Sequence, residues 1–433
     1  MRALMHPSAS AVDLRVRHPA FRDGLTRQDL ALWYRRARKR TRSFFAIPRQ
    51  EAYHSRPIEL RNPIVFYEGH LPAFSVNTLV KLAQGGRGVD DEMEQLFERG
   101  IDPADRTSIQ EGSPWPSRMD VQAYVAAAEA LVEKALLNLS DRPIEIEAAG
   151  TILEHELMHQ ETLLYMLHNL PHKMKRGESG ALPPARAGRM TGAPLSVRIP
   201  AGVATLGAER NTFGWDNEFP QHRVSVPEFE VDRFNVTNGD YLEFMRETGA
   251  PAPHFWVSRD GEWCWRGMFD VQPLTLDSPV FVTHEQAEAF ASWRGRRLPS
   301  EPEYHRAAFG TPGGAERTHP WGDAEPERQH GNFDLQSWDP QPVGSHPAGA
   351  SAWGVHDLAG DAWEWTSTRF NGFPGFEPMQ TYRAYSADFF DDAHYVMKGA
   401  SMATPRELIR ASFRNWFRPN YPFVYGKFRT ARG

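Results

Sequence analysis

Residues 143–170 read PIEIEAAGTILEHELMHQETLLYMLHNL, and the architecture follows from them. Pro143 suits the first turn of a helix, where its missing N–H costs no intrahelical bond. Pro171 ends the run. Between them the apolar positions recur at helical spacing: Ala148, Ile152, His155, His159, Leu163 and Met166 share one face. The two histidines therefore sit inside the apolar stripe. At about 3.6 residues per turn, positions i and i+4 project together, so both imidazoles can grip one ion. Two core histidines bonded to backbone carbonyls are the plain alternative.

Outward from this helix, the preceding sequence is helical from Thr26. DLALWYRRARKRTRSFFA (29–46) places Leu30, Trp33, Tyr34 and Ala37 on one face. Asn62-Pro63 predicts a helix start, with asparagine as cap and proline in the first turn. Met119–Leu139 is rich in alanine and leucine with few breakers. Four long helices predict an antiparallel bundle, whose interior commonly hosts metal sites. Residues 173–195 are Gly/Pro/Ala-rich without apolar period and read as a linker. After it, VRIPAGVATLG and FEVDRFNVT read as strands, HEQAEAFASWRG and SEPEYHRAAFG as short helices. The expected organisation is α+β and multidomain: bundle 1–172, linker 173–195, and an irregular α+β domain 196–433, without internal repeats.

Composition narrows the function classes. The 433 residues are 40% hydrophobic and 24% charged, with 13 Trp, 26 Phe and 12 Tyr, which excludes disorder as the main state. A net charge of −6 argues against a nucleic-acid binder. Cys264 is the single cysteine, which excludes an intrachain disulfide framework, a Cys-only metal cluster and two-thiol catalysis. No run approaches the ~20 apolar residues of a membrane helix, and the N-terminal residues lack the apolar run of a signal peptide. A soluble cytoplasmic protein is the expectation.

A metal at His155 and His159 needs a third ligand. Glu156 points about 100° away around the helix. His70 aligns with Phe66 and Phe74 on the second helix, and bundle geometry would place that face opposite the pair. His54 and His168 are weaker candidates. HELMH also fits the zinc-hydrolase pattern, with Glu156 as general base. The longer form of that pattern is absent, since Thr162 and Tyr165 stand where it needs glycine and histidine. Three neutral imidazoles keep the ion's full charge and leave open positions, as suits non-haem Fe(II) oxygen chemistry, although His-only sites also hold zinc.

RRLPSEPEYHRAA (296–308), HPWGD (319–323), PVGSHPAGASAWGVHDLAGDAWEWTST (342–368) and VMKGASMAT (396–404) resemble, in order, the formylglycine-generating-enzyme fold, a C-type-lectin-like domain. That enzyme uses a cysteine pair, so the resemblance implies the fold without its activity. The N-terminal half resembles the DinB-like four-helix bundle. The combination resembles the hercynine oxygenases of ergothioneine biosynthesis and their relatives, Fe(II) enzymes with a three-histidine site. Glu68-Gly69-His70 matches the family segment of the first ligand, and His155, His159 and Glu161 match the segment of the other two.

What the resemblance implies is specific. Asn415-Trp416 matches the pair that cradles the betaine, with Trp416 as the aromatic face for a quaternary ammonium. Tyr382, with Tyr385 as alternative, matches a tyrosine that delivers a proton or hydrogen atom. Arg118 resembles an arginine on the donor substrate. Met158 stands where the family commonly has glutamine, and Phe417 where an aspartate often contacts γ-glutamylcysteine. With the wording of RNPIVFYEGHLPAFSVNTLVK (61–81), these departures resemble the selenoneine synthase branch. The expected activity is oxidative C–Se coupling of hercynine to a selenosugar with Fe(II) and O2. C–S coupling to a thiol such as γ-glutamylcysteine is the alternative. A zinc hydrolase and a non-enzymatic lectin-like binding protein are further alternatives. Indole and aspartate positions of the second half (Asp357, Asp361, Trp363, Trp365), with Glu301 and Arg297, read as scaffold.

Overall fold

The computed structural model of the chain describes residues 14–98, 115–177 and 195–433. Most of the expected linker, 178–194, lies outside these residues. A hairpin of β1 (Val16–His18) and β2 (Phe21–Leu25) precedes α1 (Arg27–Phe44). Thr26 caps α1 by accepting from the Asp29 amide, and the Asp29 carboxylate returns the bond, which holds its pKa below the usual range. The second helix, α2 (Ile64–Ser75), departs from the expected start. Pro63 itself stands at the cap position in an extended conformation, and the helix has no side-chain cap there. Beyond Ser75 it runs on as a wider π-helical segment, Val76–Ala83.

A short helix, α3 (Asp91–Phe97), follows, held by the Asp90 cap and by Glu94 accepting from the Val89 and Asp90 amides. Then come α4 (Arg118–Leu137) and α5 (Pro143–Asn169). Both α1 and α2 pack against both α4 and α5, giving the expected four-helix arrangement. No helix among the described residues is long and apolar enough to cross a membrane.

The second half alternates short strands with three helices. The strands are β3 (Ser196–Ile199), β4 (Gly202–Leu206), β5 (His222–Val226), β6 (Phe229–Asp232), β7 (Trp256–Arg259), β8 (Glu262–Arg266) and β9 (Val271–Pro273). They continue as β10 (Trp363–Arg369), β11 (Tyr395–Gly399), β12 (Asn415–Phe417), β13 (Gly426–Lys427) and β14 (Ala431–Arg432). The helices are α6 (Asn238–Thr248), α7 (His284–Trp293) and α8 (Glu301–Phe309). VRIPAGVATLG, expected as one strand, divides into β3 and β4 around Pro200-Ala201, because proline ends the ladder. The largest sheet has order β12-β11-β10-β13, with β13 parallel to β10 and the other pairs antiparallel.

Scaffold positions behave as expected. Trp363 and Trp365 are fully buried. Asp357 accepts from the Gly344 amide and Asp361 from the Gln341 amide. Glu301 pairs with Arg414, and Arg297 with Glu303. One apolar core runs from the bundle into the second half. Two buried carboxylates of α5 lock that junction. Glu161 accepts from Trp363 Nε1 (2.7 Å), Ser401 Oγ (2.6 Å) and Thr404 Oγ1 (2.8 Å). Glu154 pairs with Arg410 (2.6 Å) and takes a bond from His18 of the hairpin (2.8 Å). The histidine turn of α5 lies between these anchors.

Candidate metal centre

Helical spacing puts His155 and His159 one turn apart, with ring centroids 4.2 Å from each other. His70, from the middle of α2, approaches to 5.3 Å and 5.0 Å of them. One ligand atom from each residue lies within 4.8 Å of the others. All three side chains are buried. His70 Nδ1 bonds the Phe97 carbonyl at 2.7 Å, which makes that nitrogen the protonated one and leaves Nε2 a bare lone pair. His70 Nε2, His155 Nε2 and His159 Nδ1 are buried without a hydrogen-bond partner.

Unpaired buried nitrogens cost stability, so three of them in one place require an explanation. Burial pushes the His70 pKa down to about 4, against the opposing Phe97 bond. It pushes His155 and His159 well below the usual range, reinforced by the neighbouring imidazoles and, at His159, by Arg61. The donors are thus neutral at physiological pH, the form that binds a divalent ion without proton competition. Buried, neutral, convergent and unpaired, this donor set fits a metal ion.

The other expected metal candidates are engaged elsewhere. His168 bonds Tyr425 OH and the Arg266 carbonyl, and His54 is exposed beside Tyr53. Glu156 turns away from the cluster. Its carboxylate is held by Arg38, with Thr41 donating as well.

Aromatic rings wall the centre. Phe74 stacks on His155, Phe66 on His70, and Tyr67 approaches His159. Tyr382 comes across from the second half, 6.1 Å from the His155 ring and 5.1 Å from Phe74. Tyr385 is one contact further out. Its ring is 5.7 Å from Tyr382 and stacks on Trp215, and its hydroxyl faces Met158 Sδ at 3.7 Å. Burial raises the Tyr385 pKa well above the ordinary phenol value. The edge strand β12 presents Trp416, one face covered by Phe370 at 4.2 Å, with the Tyr385 ring edge-on at 5.3 Å. Asn415 Oδ1 accepts from the Trp416 amide.

Of the residues expected at the site, His70, His155, His159, Tyr382, Tyr385, Met158 and Trp416 form one chain of contacts. Phe417 joins through a neighbouring group, stacking on Tyr421 (5.1 Å) and meeting Tyr165 of α5 (6.4 Å). Arg118 does not share those contacts: it bonds the Phe45 carbonyl, approaches Glu68 at 3.4 Å and lies over Tyr53. Sequence reasoning missed Arg61. Its guanidinium donates to the hydroxyls of Tyr165 and Tyr421 and lies against both rings. No periodicity or motif marks it. A cleft of about 1330 Å3 lies apart from all of these, between the hairpin and the loops of Gly207, His319 and Arg406.

Fold and site together define a helical bundle with a buried three-imidazole centre, joined to an α+β domain that supplies tyrosines and tryptophan. Residues 183–433 match the sulfatase-modifying factor enzyme 1-like domain family. The chain is 35% identical over 370 residues to the hercynine oxygenase of Mycolicibacterium thermoresistibile, covering 79% of this chain and 80% of that one. It is 36% identical over 340 residues to the hercynine oxygenase of Mycolicibacterium smegmatis, covering 72% and 77%. The formylglycine-generating enzyme of Mycobacterium tuberculosis is 29% identical over 241 residues, covering 43% of this chain and 77% of that enzyme. The chain belongs to the hercynine oxygenase family and is an iron-dependent oxidoreductase.

Proposed function

We propose that the protein couples hercynine, at imidazole C2, to the chalcogen of a donor substrate, with Fe(II) held by His70, His155 and His159 and O2 as oxidant. The donor is a selenosugar, so that the activity is that of a selenoneine synthase. A thiol such as γ-glutamylcysteine is the second reading. One C–H and one Se–H (or S–H) bond break, one C–Se (or C–S) bond forms, the chalcogen gains an oxygen, and the second oxygen atom leaves as water. The carrying observation is the convergence of three bare imidazole nitrogens beside Tyr382.

A ferrous ion held by His70, His155 and His159 would supply one-electron chemistry with O2. The chain's own residues do the rest. Tyr382 holds a transferable proton at its phenol oxygen. Trp416 offers an aromatic face to the trimethylammonium, whose cation cannot donate hydrogen bonds, and Asn415 can bond the carboxylate. Met158 of α5 accepts the Tyr385 hydroxyl at its Sδ. The aromatic surroundings of Phe417 suit the faces of a sugar ring better than a second amino-acid charge, which supports the selenosugar. In the same reading, residues 1–172 are a DinB-like bundle, 173–195 a linker and 196–433 the lectin-like domain.

A zinc hydrolase would need Glu156 as base, and Arg38 holds that carboxylate. The test is an aerobic assay of Fe(II)-loaded protein with hercynine and each donor, read by product mass. The expected product is the selenosugar adduct, at higher kcat/KM than any thiol adduct. Turnover with the thiol alone, or hydrolysis without O2, overturns the proposal.

A further inference from the structure

Helix α2 offers a phenyl ring to two of the three imidazoles, from positions four residues on either side of His70. Phe66 stacks on His70 with centroids 4.8 Å apart and planes at 20°. Phe74 stacks on His155 much more closely, at 3.5 Å and 11°. The two histidines are nevertheless oriented by different means. His70 is fixed by its bond to the Phe97 carbonyl. Gly69 permits that approach: a Cβ there would stand 2.3 Å from the Phe97 ring. His155 has no side-chain hydrogen bond among the described residues, and its Nε2 is unpaired.

An imidazole lone pair lies in the ring plane, so the plane decides where the nitrogen points. Rings in face contact at 3.5 Å resist rotation, because turning one drives its edge into the other. The half-buried Phe74 also meets Tyr382 nearly edge-on, at 5.1 Å and 62°. One ring thus touches a bundle imidazole and a tyrosine of the second half. The π-helical segment begins two residues later, at Val76.

We propose that Phe74 is a positioning residue: its face sets the ring plane of His155, in place of a hydrogen bond, and spaces that imidazole from Tyr382. The inference rests on the three-histidine metal reading above. It does not depend on which donor is used.

Phe66 provides the internal control. It is fully buried, so removing its ring costs more stability than removing that of Phe74. His70 would still be held by the Phe97 carbonyl. The experiment measures Co2+ binding and the cobalt d–d absorption spectrum in the full-length protein. Phe74→Leu is expected to weaken Co2+ binding about 10-fold and shift the d–d bands. Phe66→Leu is expected to lower the melting temperature more, yet keep the wild-type bands. Phe74→Tyr, which retains the face, is expected to keep them too.

Wild-type affinity and bands in Phe74→Leu overturn the inference, as does an equal shift in both leucine variants. Failure of the wild-type protein to bind Co2+ overturns the metal reading itself. Should Phe74→Leu lose its cooperative melt, the metal-free wild-type protein decides. The ring protons of His155, identified by their loss in His155→Gln, are expected upfield under the phenyl ring current. Their appearance at ordinary positions overturns the stacking role.

Discussion

Arg38 Nη1 donates to both carboxylate oxygens of Glu156, at 2.9 and 3.1 Å, deep inside the bundle. The residue next to His155 is thereby committed to holding α5 against α1. Both side chains are nearly inaccessible, at 2% and 1%. Removing one partner leaves a buried charge uncompensated, whereas removing both does not. Arg38→Met is expected to lower unfolding free energy by about 3–5 kcal/mol, measured by urea denaturation. Arg38→Met combined with Glu156→Leu should recover most of that loss. If the single and double variants are equally destabilised, the pair does not act as described.

Replacing any of His70, His155 or His159 by alanine should weaken Co2+ or Fe2+ binding by at least about 100-fold, while the metal-free variants still unfold cooperatively. Calorimetric titration gives the affinity and thermal melting the folding. The metal should also stabilise the wild-type protein, by about 4 kcal/mol at a free concentration a thousandfold above Kd. Chelation removes that increment. A variant lacking His70 that binds as tightly as the wild type would remove α2 from the ligand set.

Tyr382 and Tyr385 are separated by geometry that the sequence does not contain. The first contacts Phe74 and His155, while the second turns its hydroxyl to Met158 and its face to Trp215. Tyr382→Phe is expected to cut kcat by about 100- to 10,000-fold with little change in KM. Tyr385→Phe should lose about tenfold or less, the worth of one weak hydrogen bond. Steady-state kinetics on the two variants decide the assignment, and the reverse order would transfer the role to Tyr385.

The three-histidine cluster is readable because its signal is local. His155 and His159 share one helix face by spacing alone, and His70 could be proposed because a bundle opposes its helices. What escaped is set by contacts between distant segments. Nothing in the sequence around Arg61 says that Tyr165 and Tyr421 will receive its two donors. The contacts of Arg118 with the Phe45 carbonyl and Glu68 are likewise invisible in the sequence. The seven residues of α3 are too few to show a period, although the Phe97 carbonyl at its end fixes His70. The start of α2 differed for a local reason: Pro63 is extended, so it precedes the helix instead of opening it.

Lys175 carries a pH dependence whose sign follows from its burial. Its ammonium donates to the His168 carbonyl, while desolvation, and then the Arg266 charge, press its pKa down from 10.5 to about 7. Between those values the unfolded chain binds more protons than the folded one, so stability rises with pH across that window. Below about pH 7 the folded state bears the full cost of the buried charge. Lys175→Met is expected to raise the melting temperature at pH 6–7 and to shrink that advantage by pH 10 (scanning calorimetry at matched ionic strength). A pH-independent difference would show that Lys175 titrates near its ordinary value.

Donor choice is expected to turn on Phe417. Its ring lies on Tyr421 and meets Tyr165, with the Arg61 guanidinium against both tyrosine rings. Such a surface holds a sugar through its apolar face, and a carboxylate at 417 would instead pair with the ammonium of an amino-acid donor. Phe417→Asp should lower kcat/KM for the selenosugar and raise it for γ-glutamylcysteine, each by about 10-fold, one charge-assisted bond or one lost stacking face being worth roughly 1.4 kcal/mol. Competition between the two donors in one reaction, read by product mass, measures the ratio directly. An unchanged ratio would mean that the residue after Trp416 does not separate the two activities, and the selenium assignment would lose its structural ground.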